Sequence, residues 1–240
     1  MKKSFKILLA FLLCVSSFAL FPQIRAGKIT FERKTNLYKK FKGDVKEWIS
    51  EADKNKIDDF ELYFNDTLSL FKPVESELRD KMSWATAKNT VYQNFNTGKK
   101  VTIKTIWGEP LNVTDSISIR KWKITDQSRT IAGYKCRKAV WHANDSTRIY
   151  AWFTQELEIS TGPESFNGLP GVILGLATED GGVVYFAKKV EFVKPDNTIL
   201  HPPKTKSKIY TTKELKAKLE KEYGKEKWGK RMINEHFGLW

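Results

Sequence analysis

The chain has 240 residues, a formal net charge of +14 at pH 7 and a hydrophobic content of 40%. This length is enough for one sizeable core, so a single domain is predicted, and no apolar run after the first residues approaches the roughly 20 residues of a membrane span. The excess of lysine and arginine favours acidic partners. Nucleic acid is not predicted among them, because the first residues indicate export.

The start of the chain has the pattern of a cleavable signal peptide. A basic segment precedes an uncharged apolar run over residues 7–15, which is shorter than the roughly 20 residues of a membrane span. Small side chains favour cleavage after Ala19, so residues 1–19 are predicted to be the signal peptide, with residue 26 as an alternative end. The protein is expected in the periplasm or associated with the outer membrane.

The two cysteines have different expected fates. Cys14 lies inside the apolar run, and Leu13 before it is larger than lipoprotein processing requires, so a lipoprotein is not predicted. Removal of the leader leaves Cys136 as the only cysteine, and an intramolecular disulfide is then excluded. Stability must come from a packed core.

Residues 27–200 are predicted to form one antiparallel sheet domain with an early helix. Residues 28–33 alternate like a strand, and residues 35–53 then carry apolar side chains at helical spacing, with Gly43 as a weak point. Connections between the later strands are too short for parallel crossovers, which indicates an antiparallel meander. The later strands are predicted over residues 60–64, 68–70, 90–95, 100–107, 117–124, 135–143, 147–154, 172–178 and 183–193.

Residues 201–240 are predicted to form a basic helical extension. Thr211 and Glu214 have the spacing of a capping box before a helix over residues 212–231. Residues 204–231 contain eleven Lys or Arg against four Glu, so most of the excess positive charge lies near this end. The leading interpretation is a surface helix docked by its leucines, and contact with a membrane surface is the alternative.

An ordered set of motifs in the second half of the chain carries a family resemblance. These motifs are Ile131-Ala-Gly-Tyr-Lys-Cys-Arg-Lys-Ala139, Ala151-Trp-Phe-Thr154, Gly162-Pro163 and Gly168-Leu-Pro-Gly-Val-Ile173. The chain therefore resembles the GLPGLI family of secreted proteins, with Val172 in place of the usual leucine. The residues that match the family motifs are Gly133, Tyr134, Cys136, Trp152, Gly162, Pro163, Gly168, Leu169, Pro170 and Gly171.

The resemblance implies a fold class and a setting more than an activity. It implies a mainly β (α+β) protein, with an open, curved antiparallel sheet packed against one or two helices, as in periplasmic lipoprotein carriers. It also implies an exported protein of Gram-negative bacteria, often encoded near outer-membrane receptors, with no established reaction.

The glycine-rich motif indicates a tight turn. Pro170 fixes φ at the second turn position and Gly171 accepts positive φ, which predicts a type II turn. Val172 then begins a strand that we expect to be covered on both faces. The leading interpretation is a corner that sets the geometry of the sheet, and the alternative is a ligand rim that exposes Leu169 and Pro170.

Two sets of residues are candidates for catalysis or metal binding. Cys136 as a nucleophile or metal thiolate would need a nearby histidine or further ligands, and His142 is about 20 Å away along the same predicted strand. We interpret Cys136 as a small buried apolar side chain and predict no metal site or cofactor. Glu156, Glu158 and Glu164 are interpreted as ordinary solvent-facing side chains, so no catalytic constellation is found and no enzyme is predicted.

The aromatic residues suggest a function. Trp122, Trp141 and Trp152 lie on predicted strands, where they can fill the core or line a cavity. The leading hypothesis is an exported, non-enzymatic binding or carrier protein for an apolar or amphipathic ligand, with these tryptophans, Leu169 and Pro170 as candidate ligand-binding residues. The alternatives are a cell-envelope interaction module associated with an outer-membrane receptor and, third, a metal-binding protein that depends on the lone cysteine.

Overall fold

The computed structural model describes residues 25–41, 43–75, 81–196, 198–202 and 208–238, so the predicted signal peptide lies outside the described residues. Strands dominate these residues. They are β1 (Gly27–Asn36), β2 (Asn55–Phe64), β3 (Leu68–Pro73), β4 (Thr90–Asn94), β5 (Lys99–Ile106), β6 (Glu109–Ser116), β7 (Lys123–Ile131), β8 (Tyr134–Asn144), β9 (Thr147–Thr154), β10 (Val172–Thr178), β11 (Val183–Glu191) and β12 (Ile209–Tyr210). The helices are α1 (Leu37–Lys40), α2 (Asp44–Glu47), α3 (Thr212–Tyr223) and α4 (Lys227–Phe237), with a 3-10 turn at Ser83–Ala85.

All the strands belong to one open sheet, in the order β12-β6-β5-β4-β3-β2-β1-β11-β10-β9-β8-β7. Two meanders, β1 to β6 and β7 to β11, are joined where β1 pairs with β11. Neighbouring strands are antiparallel except for β12, which runs parallel to β6. The prediction of a mainly β protein with an open antiparallel sheet is therefore confirmed.

The connection between the two meanders requires the sheet to be strongly curved. Ten strand spacings of about 4.8 Å, or roughly 48 Å along the sheet, separate β6 from β7. The segment that joins them, residues 117–122, can span at most about 25 Å. The sheet must therefore curl into a bowl that this segment crosses.

The prediction of a strand over residues 117–124 is wrong, because most of this segment crosses the bowl. Residues 117–122 form no ladder, and only the last two residues of the predicted range belong to β7. The strand in this part of the chain is β6, which begins beside the hairpin turn at Trp107 and Gly108, both at positive φ.

The early helix is also shorter than its spacing indicates, because α1 and α2 are single turns separated at Gly43, where φ is +64°.

The period-two alternation of the first strands builds the core. Ile29 and Phe31 of β1 pair with Leu62 and Phe60 of β2, and all four side chains are fully buried on the inner face of the bowl. The segment between β9 and β10, residues 155–171, covers this face and adds the fully buried Phe166.

The C-terminal residues complete the fold at the β6 edge. Thr211 and Glu214 form the predicted capping box at the start of α3. The predicted single helix is two helices, because the chain turns at Gly224, and α4 then approaches α3 so closely that a Cβ on Gly229 would lie 2.0 Å from the Tyr223 carbonyl oxygen. A cluster that contains Leu219 packs on Val113 of β6. No helix within the described residues is long and apolar enough to cross a membrane.

Candidate functional site

The inner face of the bowl changes from apolar to polar at one end of the sheet. Along β1, the alternation that buries Ile29 and Phe31 continues to Arg33 and Thr35. In β2, the same face continues to Asp58, which pairs with Arg33. Charged side chains at inward positions are costly unless they are paired, so this end of the sheet is a candidate site.

Arg33 and Asp58 form a buried ion pair with further partners. The Arg33 Nη2 atom lies 2.7 Å from the Asp58 Oδ2 atom, and the two residues are 4% and 3% exposed. Asp58 also accepts hydrogen bonds from Lys56 Nζ at 2.9 Å and Thr86 Oγ1 at 2.9 Å. Burial alone would raise the pKa of Asp58, but the Arg33 guanidinium and these donors hold that pKa well below 3.8.

Glu164 joins this network from the covering segment. Its carboxylate accepts hydrogen bonds from the Tyr185 hydroxyl at 2.9 Å and the Asn89 amide at 3.1 Å, and it lies 4.0 Å from Arg33 Nη1. The expectation of a solvent-facing Glu164 is wrong, since it is 3% exposed. The alternation ends before it, and a turn at Pro163 directs Glu164 onto the sheet with φ at +56°, a backbone strain of about 1–3 kcal/mol.

A cavity of about 220 Å³ lies over this network, and we call it the inner cavity. Two of its lining residues carry buried polar atoms with no hydrogen-bond partner within the described structure, namely Arg33 Nε and Asn89 Oδ1. The residues around this cavity therefore contain one buried donor and one buried acceptor that are unpaired within the described structure. The lining residues are Arg33, Thr35, Lys39, Lys40, Thr86, Ala87, Asn89, Thr178, Asp180, Gly182, Val183 and Glu235.

A second cavity of about 440 Å³ adjoins the first, and we call it the outer cavity. Lys40 and Glu235 line both cavities and pair with each other. The outer cavity is formed where α4 faces the end of α1. Its lining residues are Lys40, Phe41, Lys227, Lys230, Arg231, Asn234 and Glu235.

The tryptophans chosen as ligand candidates lie elsewhere. Trp122 and Trp141 pack against Phe166, and the Trp122 Nε1 atom donates to the Asn167 carbonyl oxygen at 2.8 Å. Trp152 is 8% exposed and stacks beneath Arg129. None of the three lines the inner or the outer cavity.

The GLPG residues form a corner rather than a cavity wall. Gly171 N–H donates to the Leu169 carbonyl oxygen at 2.9 Å, which makes a three-residue turn centred on Pro170 instead of the predicted type II turn. Leu169 is buried and Pro170 is exposed. A Cβ on Gly171 would lie 1.9 Å from the Thr154 carbonyl oxygen, and one on Gly168 would lie 2.6 Å from that of Arg120.

The remaining motif residues have packing roles. Gly133, at φ +86°, turns the chain between β7 and β8, ahead of the half-buried Tyr134. Gly162 lies against Ile173, where a Cβ would come within 2.7 Å of the Ile173 Cβ, and Pro163 beside it is buried.

Cys136 is fully buried in the core, and this burial raises the pKa of its thiol to about 11. His142 is exposed on the same strand. Within the described part of the chain, no three His, Cys, Asp or Glu side chains are grouped so that they could hold a metal ion.

The network of Arg33, Asp58 and Glu164 was not predicted from the sequence, although the register of β1 and β2 indicated part of it. Arg33 continues the inward register of Ile29 and Phe31, and Asp58 continues that of Phe60 and Leu62. A charged residue in register with a buried apolar face must be paired or functional. The partners Asn89 and Glu164 carry no such signal, because they lie outside the strands.

Comparisons with known proteins relate this fold to N-glycanases. The sequence model of the family described as "N-glycanase peptide, N-terminal domain" matches residues 52–215. Two crystal structures of PNGF-II, in space groups C2 and P21, match with TM-scores of 0.54 and 18% identity, over 78% and 77% of this chain. The matched region is 31% of the PNGF-II chain, so this protein spans about a third of that relative.

The other comparisons give no further information on function. MucB matches with a TM-score of 0.39 and 8% identity, over 75% of this chain and 58% of its own, which is too distant to argue from. No curated protein sequence matches the chain. At 18% identity, the PNGF-II structures show a shared fold and not a shared activity.

Proposed function

Since the chain belongs to the family of N-glycanase peptide N-terminal domains, we propose that it is an exported binding module for the carbohydrate of glycoproteins. The inner cavity holds one sugar unit of the glycan. The predicted signal peptide supports export, and the GLPGLI resemblance is compatible with the same setting.

The observation that carries this proposal is the pair of unpartnered atoms at the inner cavity. Both atoms are covered by neighbouring side chains. Once those side chains move aside, a sugar hydroxyl can accept from Arg33 Nε–H and donate to Asn89 Oδ1, which an acyl chain cannot do. The cavity volume of about 220 Å³ is below the roughly 300–1,000 Å³ of pockets for drug-sized ligands. It suits a single polar ring better than a lipid.

The proposed role is binding without catalysis. The Asp58 carboxylate is saturated by Arg33, Lys56, Thr86 and Lys88, the last at 3.1 Å. Glu164 is engaged by Tyr185 and Asn89. Neither acid is free to exchange a proton with a ligand, so we assign recognition rather than bond cleavage to the site.

Calorimetric titration of the protein with a neutral N-glycan tests the proposal. Wild-type protein should bind, and Asn89→Ala should lose at least about tenfold in affinity, because the ligand hydroxyl loses its acceptor. Asn112→Ala is the matched control, since Asn112 is also buried with an unpartnered Oδ1 atom but lines neither cavity. Absence of binding by wild type to the neutral glycan and to its acidic forms, or equal affinities in the two variants, would overturn the proposal.

The alternatives to carbohydrate binding are separate proposals with a direct test. An apolar or amphipathic ligand held by the protein should appear in a solvent extract of the protein purified from cells. An outer-membrane receptor partner should be recovered with the protein from envelope extracts. Recovery of a lipid in stoichiometric amount would favour the carrier role over the carbohydrate-binding role.

A further inference from the structure

The inner and outer cavities lie side by side, and we call the two together the basic groove. They share Lys40 and Glu235, so only this ion pair separates a ligand group in the inner cavity from one in the outer cavity. The outer wall is one face of α4, because Lys227, Lys230, Arg231 and Asn234 follow helical spacing. The opposite wall comes from the end of α1.

The charge of the basic groove is strongly positive. Six basic and two acidic side chains line it. Both acids are already engaged, since Asp180 accepts from Thr178 Oγ1 at 2.6 Å and from the Gly182 amide at 2.8 Å, and Glu235 pairs with Lys40. The groove therefore presents cations that its own acids do not neutralise.

Three of these cations are available to a ligand. Lys227, Lys230 and Arg231 form no ion pair with any acidic side chain in the described ranges. Lys40 beside them is mostly desolvated, and burial lowers its pKa although Glu235 opposes the shift. An anion in the outer cavity would stabilise all four charges through short charge-assisted hydrogen bonds.

We infer that the basic groove recognises an anionic oligosaccharide, with the acidic group in the outer cavity among Lys40, Lys227, Lys230 and Arg231. This inference rests on the proposed carbohydrate-binding function and specifies its ligand class. A sulfate or phosphate ester and a sugar carboxylate share the required chemistry. Arg231 can hold two oxygens of such a group at once, and the lysines act as point charges.

Titration with three forms of one oligosaccharide tests the inference. The sulfated form adds a sulfate ester to the neutral form, and the sialylated form adds one sugar unit that carries a carboxylate. At least one anionic form should bind about tenfold or more tightly than the neutral form, and its affinity should fall as sodium chloride is raised. The relative affinities of the two anionic forms identify carboxylate or sulfate as the preferred group.

Charge-removal variants locate the effect. The double variant Lys230→Gln/Arg231→Gln removes two of the four cations and should lose most of the preference for the anionic form. The matched control is Lys213→Gln/Lys221→Gln, which removes the same charge from exposed positions of α3 outside both cavities. Circular dichroism confirms that each variant is folded.

The outcomes separate the two proposals. Equal affinity for neutral and anionic forms overturns the inference and leaves carbohydrate binding intact. An equal loss in both double variants also overturns it, because the attraction would then come from overall charge. Failure of every oligosaccharide to bind overturns the proposed function together with the inference.

Discussion

The carboxylate of Asp58 shows how one inward charge organises the site. Its donors come from β1, from β2 and from the segment at residues 86–88, so a single side chain ties three parts of the chain together. Because its folded-state pKa lies below the value of 3.8 for a free side chain, the ionised form stabilises the folded protein. This contribution is complete above about pH 4 and decreases as the pH falls toward the folded-state pKa.

Replacement of Asp58 tests this coupling. Asp58→Asn leaves Arg33 and Lys56 buried without their anion, so we expect a loss of about 3–5 kcal/mol in the free energy of unfolding at pH 7. The decline in stability between about pH 4 and pH 2 should also become shallower than in wild type. Urea unfolding across this pH range measures both effects.

Asp59→Asn is the control, because Asp59 is exposed on the opposite face of the same strand. It should change the free energy of unfolding by no more than about 0.5 kcal/mol. An unchanged pH dependence in Asp58→Asn would contradict the role of the ion pair.

The buried thiol of Cys136 gives a second prediction. Its pKa of about 11 exceeds the value of 9.0 for a free thiol, so the folded protein has about a hundredfold less thiolate at pH 8. Iodoacetamide should therefore label Cys136 at least about a hundredfold more slowly in the folded protein than in guanidinium chloride. Peptide-resolved mass spectrometry measures the label at this residue, and comparable rates would show an accessible, reactive thiol.

At the scale of elements, the GLPG corner is fixed by a close approach of two backbone segments. Gly171→Ala would place a methyl group 1.9 Å from the Thr154 carbonyl oxygen at φ +136°. We expect a loss of about 3 kcal/mol or more in the free energy of unfolding.

Gly98→Ala is the matched control for this prediction. Gly98 also has a positive φ, of +65°, but a Cβ there meets nothing within 4 Å. Its substitution should cost only about 1 kcal/mol, from the backbone conformation alone. Equal losses in the two variants, measured by chemical unfolding, would mean that the contact with Thr154 does not set the corner.

Elements were predictable from sequence where a local pattern determined them. The alternation of residues 60–64 gave β2, and the Thr211 and Glu214 spacing gave the start of α3. Residues 117–122 alternate in the same way, but they cross the bowl, because hydrophobic period does not reveal whether a neighbouring strand is present. The prediction of a type II turn was wrong because the position of Gly171 is set by its contact with Thr154, which is distant in sequence.

At the scale of the whole molecule, the topology explains why only part of the site could be predicted from the sequence. Pairing of β1 with both β2 and β11 brings Arg33, Asp58 and Tyr185 side by side. That pairing is a long-range property. The basic groove additionally requires α4 to return to α1, and no pattern in the C-terminal sequence specifies that contact.

The same topology predicts how stability is distributed over the molecule. Strand β1 is paired along all ten of its residues with β2 and has β11 on its other side. Strand β12 has only two ladder pairs, and β7 lies at the opposite edge with a register shift. Amides that are paired on both sides in a buried core require global unfolding to exchange, whereas edge elements open locally.

Hydrogen exchange followed by mass spectrometry should therefore give a graded pattern. Peptides from β1 and β10 should exchange most slowly, with a urea dependence equal to that of global unfolding. Peptides from β12 and β7 should exchange sooner, and α3 and α4 should open together because they share one hydrophobic cluster with β5 and β6. Equal protection of β7 and β1 would contradict an open sheet whose stability is centred on β1. Protection of α4 that rises when an anionic oligosaccharide is added would connect this distribution to the basic groove, because a ligand that binds only the folded helix suppresses its opening.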